Sequence, residues 1–243
     1  RGGAGLVTLL CPRGVQPGVA ARLAEVMTVP LDELEGEVCM STLEDILASA
    51  EGKQALAIGP GLGTGGEVSS LVRRLLQDTD QPVVIDADGL NALVGHLSIL
   101  GQQPDRDIIL TPHPGEMSRL SGLSVAEIQN DRFDVAKDFA TQYKVTLVLK
   151  GARTLIAAPD GTVHVNTTGH AGMASGGMGD VLTGLIGSLL AQGLPAMPAA
   201  TLAVYLHGLA AERLQPRFGD AGLLATDLIN ELPAARQALA REG

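Results

Sequence analysis

Short apolar runs bounded by glycine, proline and aspartate alternate along this chain with stretches of helical periodicity. That alternation is met by few folds other than a sheet assembled from βαβ units. Strands are expected at residues 5–10, 55–59, 83–86, 108–111 and 146–150. Two helix starts match the reciprocal serine–glutamate cap, Ser41 with Glu44 and Ser124 with Glu127, in which each side chain satisfies the other residue's orphan amide. Phe, Trp and Tyr make only 2% of the chain while glycine reaches 31 residues, so the interior has to be aliphatic, with backbones approaching closely at glycines. A parallel sheet covered by helices on both faces satisfies that requirement.

Beyond Lys150 the pattern changes. Residues 154–157, the turn Pro159-Asp160-Gly161 and residues 162–165 read as an antiparallel hairpin, which gives an otherwise parallel sheet an antiparallel edge. Residues 180–192 then place Val181, Leu182, Leu185, Ile186, Leu189 and Leu190 at helical spacing, with small residues opposite, as in a helix buried on most sides. Further helices are expected at 199–214 and 226–239. No linker or internal repeat divides residues 1–243, so one domain is expected.

A net charge of −10, from 17 basic against 27 acidic residues, argues against a nucleic-acid partner, because phosphate backbones are held by surplus Lys and Arg. It does not exclude a small anion held locally by backbone amides. There is no membrane-length apolar run, and no membrane partner is expected. Cys11 and Cys39 fit no metal spacing, and two thiols in this length suit a reduced, cytoplasmic protein better than a disulfide framework.

The densest chemical signal is Asn166 to Asp180, where five glycines crowd one loop that runs directly into the buried helix. Gly176, Gly177 and Gly179 let successive N–H groups converge, and a helix N-terminus adds positive potential, so a phosphoryl group is the natural occupant. No lysine follows the glycines, so this is not a Walker A loop. Asp180 has two readings, as the N-cap of its helix or as the base that takes a proton from an attacking hydroxyl. Three other segments carry polar chemistry. Thr111-Pro-His-Pro-Gly-Glu116 follows a strand, where its prolines fix the backbone presenting His113. Lys150-Gly-Ala-Arg-Thr154 joins the last parallel strand to the hairpin. Gly61-Leu-Gly-Thr-Gly-Gly66 satisfies a dinucleotide fingerprint after a strand, with Asp86 ending the next strand, which is a fair signal for an NAD-dependent dehydrogenase.

Gly172-Met-Ala-Ser-Gly-Gly-Met-Gly-Asp-Val-Leu-Thr-Gly184 resembles the signature of the ADP- or ATP-dependent NAD(P)H-hydrate dehydratases, a ribokinase-like group often fused to an NAD(P)H-hydrate epimerase domain. Gly59-Pro-Gly-Leu-Gly63, Ile85-Asp-Ala-Asp-Gly-Leu-Asn91, Leu110-Thr-Pro-His-Pro-Gly-Glu116, Lys150-Gly-Ala-Arg-Thr154 and Leu223-Leu-Ala-Thr-Asp227 are similar to the same family, in the same order. The resemblance implies a ribokinase-like α/β fold and phosphorylation of the hydroxyl of NADH-hydrate or NADPH-hydrate, followed by loss of phosphate to restore the nicotinamide ring. It implies Asp180 as base and substrate contact, with Gly61, Gly63 and His113 also at the substrate. It puts Lys150, Gly151, Ala152, Arg153, Thr154, Gly177, Met178 and Gly179 at the nucleotide, and Glu116 on Mg2+ through water. It also implies ADP or ATP as phosphoryl donor and a homo-oligomer. The family pattern opens with another strand and a glycine-containing helix start before the segment resembling Gly3-Ala-Gly-Leu-Val7, and that part is not in this sequence. Met178 stands where a threonine is common, a change that a residue acting through its backbone N–H tolerates. A small-molecule kinase of the same fold and a silent nucleotide-binding module are the other readings.

Overall fold

A computed structural model describes residues 1–242. Its centre is a six-stranded sheet in the order β10-β9-β8-β7-β6-β5, in which β5 (Leu56–Ile58), β6 (Val83–Ile85), β7 (Ile108–Leu110) and β8 (Thr146–Leu149) run parallel. β9 (Leu155–Ala157) and β10 (Val163–Val165) add the expected antiparallel edge. The turn between them closes as its sequence suggests: Gly161 is left-handed at φ 88°, and Asp160 Oδ1 accepts from the Thr162 amide at 2.8 Å.

The strict alternation of side chains along these strands divides the interior into two layers. Val83, Ile85, Ile108, Leu110, Leu147 and Leu149 face a core shared with α3 (Gly66–Asp78), α5 (Pro114–Ser121) and α7 (Arg132–Tyr143). Val84, Ile109, Val148 and Ile156 point the other way, against α8 (Met178–Ala191), α9 (Ala196–Phe218) and α10 (Ala225–Glu242). Because both faces are covered, β6 and β7 are apolar at every position and β8 at all but Thr146, and no position of β6, β7 or β8 is more than 4% exposed. Among the described residues, no helix is long and apolar enough to cross a membrane.

Two expectations need correction. The first strand lies at β1 (Thr8–Pro12) rather than at 5–10, and it pairs in parallel with β2 (Met27–Leu31) in a separate two-stranded sheet, not with the central one. The short hairpin of β3 (Glu33–Leu34) and β4 (Glu37–Val38) lies beside this unit. The Ser41–Glu44 cap does not form either. A 3-10 turn over Met40–Thr42 leads into α2 (Leu43–Ala50), whose N-cap is Thr42, and Ser41 Oγ meets Cys39 Sγ at 3.2 Å instead.

The Ser124–Glu127 cap does form, at the start of α6 (Val125–Asn130): the Glu127 amide donates to Ser124 Oγ at 3.2 Å and the Ser124 amide to Glu127 Oε2 at 2.8 Å. Ser124→Ala is therefore expected to lower stability by about 1 kcal/mol in denaturant melts, the usual cost of removing such a cap.

Candidate active site

The parallel strands end on one side of the sheet, and the segments that follow them converge there. Gly59, just after β5, has φ 138°, and a Cβ at this position would lie 1.7 Å from the carbonyl oxygen of Asp86, just after β6. Only glycine allows the two strand ends to come this close. After β7, His113 caps α5. Its Nδ1 accepts from the amides of Gly115 at 3.0 Å and Glu116 at 3.2 Å, while Glu116 Oε2 accepts from the His113 amide at 2.8 Å. This is a reciprocal cap with histidine in the place usually held by serine, which is why a search for serine or threonine misses it. With Nδ1 accepting, a neutral His113 carries its proton on Nε2, 3.4 Å from Glu116 Oε1. Glu116 itself is 6% exposed.

After β8, Lys150 turns inward. Its Nζ lies 2.7 Å from Asp86 Oδ1 and 3.7 Å from Glu116 Oε2. Asp86 is 1% exposed, and its second oxygen accepts from Thr183 Oγ1 of α8 at 2.7 Å. Burial works to raise the Asp86 pKa, but the charge of Lys150 and the hydrogen bonds from Lys150 and Thr183 outweigh it and leave the carboxylate below its ordinary range. The rest of the turn is held from below by Arg132 at the start of α7. Arg132 Nη1 donates to the Ala152 carbonyl at 2.6 Å, and Nη2 donates to those of Leu149 at 3.1 Å and Lys150 at 3.3 Å. Arg153 ties the turn to the glycine loop through the Thr167 carbonyl at 3.0 Å. Gly151, Ala152 and Arg153 are exposed.

The glycine loop delivers the start of α8. Gly177, left-handed at φ 84°, is the N-cap, and Met178, Gly179 and Asp180 form the first turn, whose amides have no intrahelical acceptor. The side chain of Met178 is buried in the core, so the residue presents only its backbone N–H, which explains how a methionine fits here. The space where a Gly179 Cβ would stand is 3.4 Å from Lys150 Nζ, which brings the cation against the mouth of the helix. The loop is braced elsewhere: His170 accepts from the Gly172 amide at 3.1 Å and contacts the Ala211 carbonyl at 3.1 Å, and the Gly169 amide donates to Glu212 at 2.8 Å. His170 is thus a brace for the loop.

Asp180 is not the helix cap, since Gly177 holds that position, and its side chain makes no hydrogen bond among the described residues. Its pKa is raised, by partial burial first and by the charge of Asp86 second, with Lys150 opposing. A carboxylate with free oxygens, raised basicity and a ring of unpaired amides beside it has the attributes of a general base at an anion site. It also lines a cleft of about 480 Å3, together with Gly59, Pro60 and Leu62 and with apolar residues of β1, β5 and α8. His113 and the 150–154 turn do not line this cleft.

The fingerprint Gly61 to Gly66 does follow a strand and precede α3, but two of its amides are taken. The Gly63 amide donates to Asp88 Oδ2 at 3.0 Å and the Gly65 amide to Glu37 Oε2 at 3.2 Å. Asp86, which would have to receive a ribose hydroxyl in a dehydrogenase, is buried and ion-paired. The dehydrogenase reading fails on both counts.

Glu116 has both oxygens engaged, so a direct metal bond there would dismantle the cap of α5. Contact through a water is what the geometry leaves open. Among the described residues no cluster of three or more His, Cys, Asp or Glu could cage a metal.

The family model for NAD(P)H-hydrate dehydratase matches residues 1–234. The bifunctional NAD(P)H-hydrate repair enzyme Nnr of Moorella thermoacetica is 44% identical over 243 residues, which is all of this chain but 46% of that protein. The ADP-dependent (S)-NAD(P)H-hydrate dehydratase of Neisseria meningitidis is 43% identical over 214 residues, covering 86% of this chain and 71% of that one. The chain therefore spans a little under half of the bifunctional relatives and most of the shorter one. Among solved structures, the ADP/ATP-dependent NAD(P)H-hydrate dehydratase of Bacillus subtilis, co-crystallized with ATP/Mg2+, superposes with a TM-score of 0.80 at 34% identity over 97% of this chain and 80% of that chain. A ribokinase-like superfamily protein of Enterococcus faecalis gives a TM-score of 0.82 at 27% identity over 97% of this chain and 78% of that chain, so the fold is ribokinase-like. On its sequence, its fold and the glycine loop that ends at Asp180, the chain belongs to the NAD(P)H-hydrate dehydratase family.

Proposed function

We propose that this protein dehydrates (S)-NADH-hydrate and (S)-NADPH-hydrate back to NADH and NADPH at the expense of ADP or ATP. The observation that carries the reading is Asp180, a carboxylate of raised pKa with no hydrogen bond of its own, on the first turn of a helix whose amides are open. In this reading the nucleotide lies along Lys150, Gly151, Ala152, Arg153 and Thr154, with its terminal phosphoryl group at the amides of Gly177, Met178 and Gly179. Asp180 takes the proton of the hydrate hydroxyl as that oxygen bonds to phosphorus and the nucleotide leaves as AMP or ADP. Loss of phosphate from the ring carbon, with a proton from its neighbour, then restores the double bond. The amides and the helix terminus neutralise the charge that builds on the phosphoryl oxygens. Glu116 would hold Mg2+ through water, and the ion would supply further charge neutralisation. Gly61, Gly63 and His113 border the substrate.

The family's bifunctional members favour a fused epimerase domain as partner, and we expect a homo-oligomer in the cytoplasm, with residues 1–243 acting as one catalytic unit. The test is recovery of the 340 nm absorbance of NADPH from its hydrate, with and without ADP or ATP. Nucleotide-dependent recovery supports the reading, and its absence with properly folded protein overturns it. Arg132→Met, which frees the 150–154 turn without touching Asp180, is expected to raise KM for ADP about tenfold, the equivalent of one lost charged hydrogen bond.

A further inference from the structure

We infer that Asp86 is a positioning residue for this reaction: its buried carboxylate clamps Lys150 with one oxygen and Thr183 with the other, and so fixes Asp180 and the anion-binding turn against the nucleotide segment. The inference rests on the reading above, but nothing in that reading assigns Asp86 a part. Its two bonds, each 2.7 Å, reach residues 64 and 97 positions away. They join the end of β6 to the end of β8 and to the second turn of α8. The Asp86 backbone is held just as firmly, since its carbonyl accepts from the Gly89 amide at 2.9 Å and is overlain by Gly59. Lys150 extends the link to Glu116, and Glu116 in turn holds the backbone of His113. Segments after β6, β7 and β8 and the start of α8 are thereby wired to one carboxylate that a ligand cannot reach.

Such a clamp does more than hold shape, because its charge stands behind the base. The charges that act on Asp180 are those of Asp86 after β6 and Lys150 after β8; Glu116 and His113 at the start of α5 are linked to it through Lys150, and Lys53 lines the same cleft. His207 of α9 is buried beneath Lys150, and burial first, then the charge of Lys150, brings it down to about 4, so it is neutral near pH 7. Asp86 is the group whose negative charge keeps Asp180 basic, and Lys150 opposes it. In Asp86→Asn the repulsion is gone and Lys150 is released toward Asp180, and both changes make Asp180 more acidic.

The test is the pH profile of kcat/KM for Asp86→Asn against wild type, with ADP affinity measured alongside. The expected result is a fall in kcat of about tenfold or more, an acid limb moved to lower pH, and an ADP Kd within about threefold of wild type. An unmoved limb with only a lowered melting temperature overturns the inference. Should Asp86→Asn not fold, Thr183→Val removes one arm of the clamp and leaves the charge. A lower kcat at unchanged KM for ADP then supports the clamp, and wild-type kcat overturns it. The Asp180 titration can also be followed without turnover, from its carboxyl-carbon NMR shift in wild type and Asp86→Asn. A downward shift in an enzyme that fails to repair hydrate upholds the clamp and rejects the proposed function, so the two fail separately.

Discussion

Asp180→Asn is expected to reduce hydrate turnover by about two to four powers of ten, the contribution general-base catalysis makes, while ADP binds as tightly as before. Asparagine has nearly the same shape, and in the proposed function the phosphoryl group is held by the amides of Gly177, Met178 and Gly179, which the substitution does not touch. Stability supplies the second half of the test. The folded-state pKa of Asp180 is raised. A group shifted this way adds stability below its unfolded pKa and loses that stability as the pH rises through the folded value, so at neutral pH the ionised carboxylate is a mild burden on the fold. Asp180→Asn should therefore melt at or above the wild-type temperature. A helix cap would behave in the opposite way, its removal lowering the melting temperature and sparing turnover. Single-turnover kinetics with a parallel thermal melt decides between them, and retained turnover would reduce Asp180 to a surface carboxylate.

The sequence made the central sheet legible because β6, β7 and β8 are buried on both faces and read as unbroken apolar runs between turn residues. The region from β1 to β4 was harder. Leu9, Met27 and Leu34 there are exposed, and β3 and β4 have two residues each, too few to show a period. The Ser41–Glu44 pair shows the limit of a local pattern: the residues match the cap, but Thr42 Oγ1 bonds the Cys39 carbonyl at 2.7 Å and a 3-10 turn takes the serine out of position.

The site divides along the same line. Main-chain features announced themselves through glycines, and the loop before Asp180 could be read directly. Side-chain contacts over long separations could not. Nothing near Arg132 in the chain points to the carbonyls 17 to 20 residues away that it gathers. Asp86 looked like a ribose-binding aspartate at a strand end, because its true partners are placed by the packing of β8 and α8 rather than by any spacing in the sequence. The resemblance of six segments to one family filled part of this gap, since the family's order of motifs stands in for the three-dimensional proximity that a single sequence does not carry.

Lys150→Met is expected to cost about 3–5 kcal/mol of folding stability at pH 7, the range for breaking a buried ion pair from one side. The methionine fills much of the volume of the lysine stem, so little of the loss comes from packing. What remains is the Asp86 carboxylate, 1% exposed, with only the hydroxyls of Thr183 and Thr111 to hold its charge. In the wild type its folded pKa is depressed, so its contribution is present above the unfolded value of about 3.9 and disappears as the pH falls through the lower folded value. Without Lys150, burial dominates and the folded pKa moves above the unfolded one, which reverses the sign: the charged form now opposes folding, and protonation relieves it. The stability gap between Lys150→Met and wild type should accordingly be widest at pH 7 and narrow toward pH 5 in guanidinium melts. Adding Asp86→Asn to Lys150→Met removes the orphaned charge and keeps an acceptor for Thr183, so the double variant should regain most of the loss at pH 7 without regaining turnover. A gap independent of pH, or a double variant no more stable than Lys150→Met alone, would show that Lys150 stabilises the fold by some means other than its bond to Asp86.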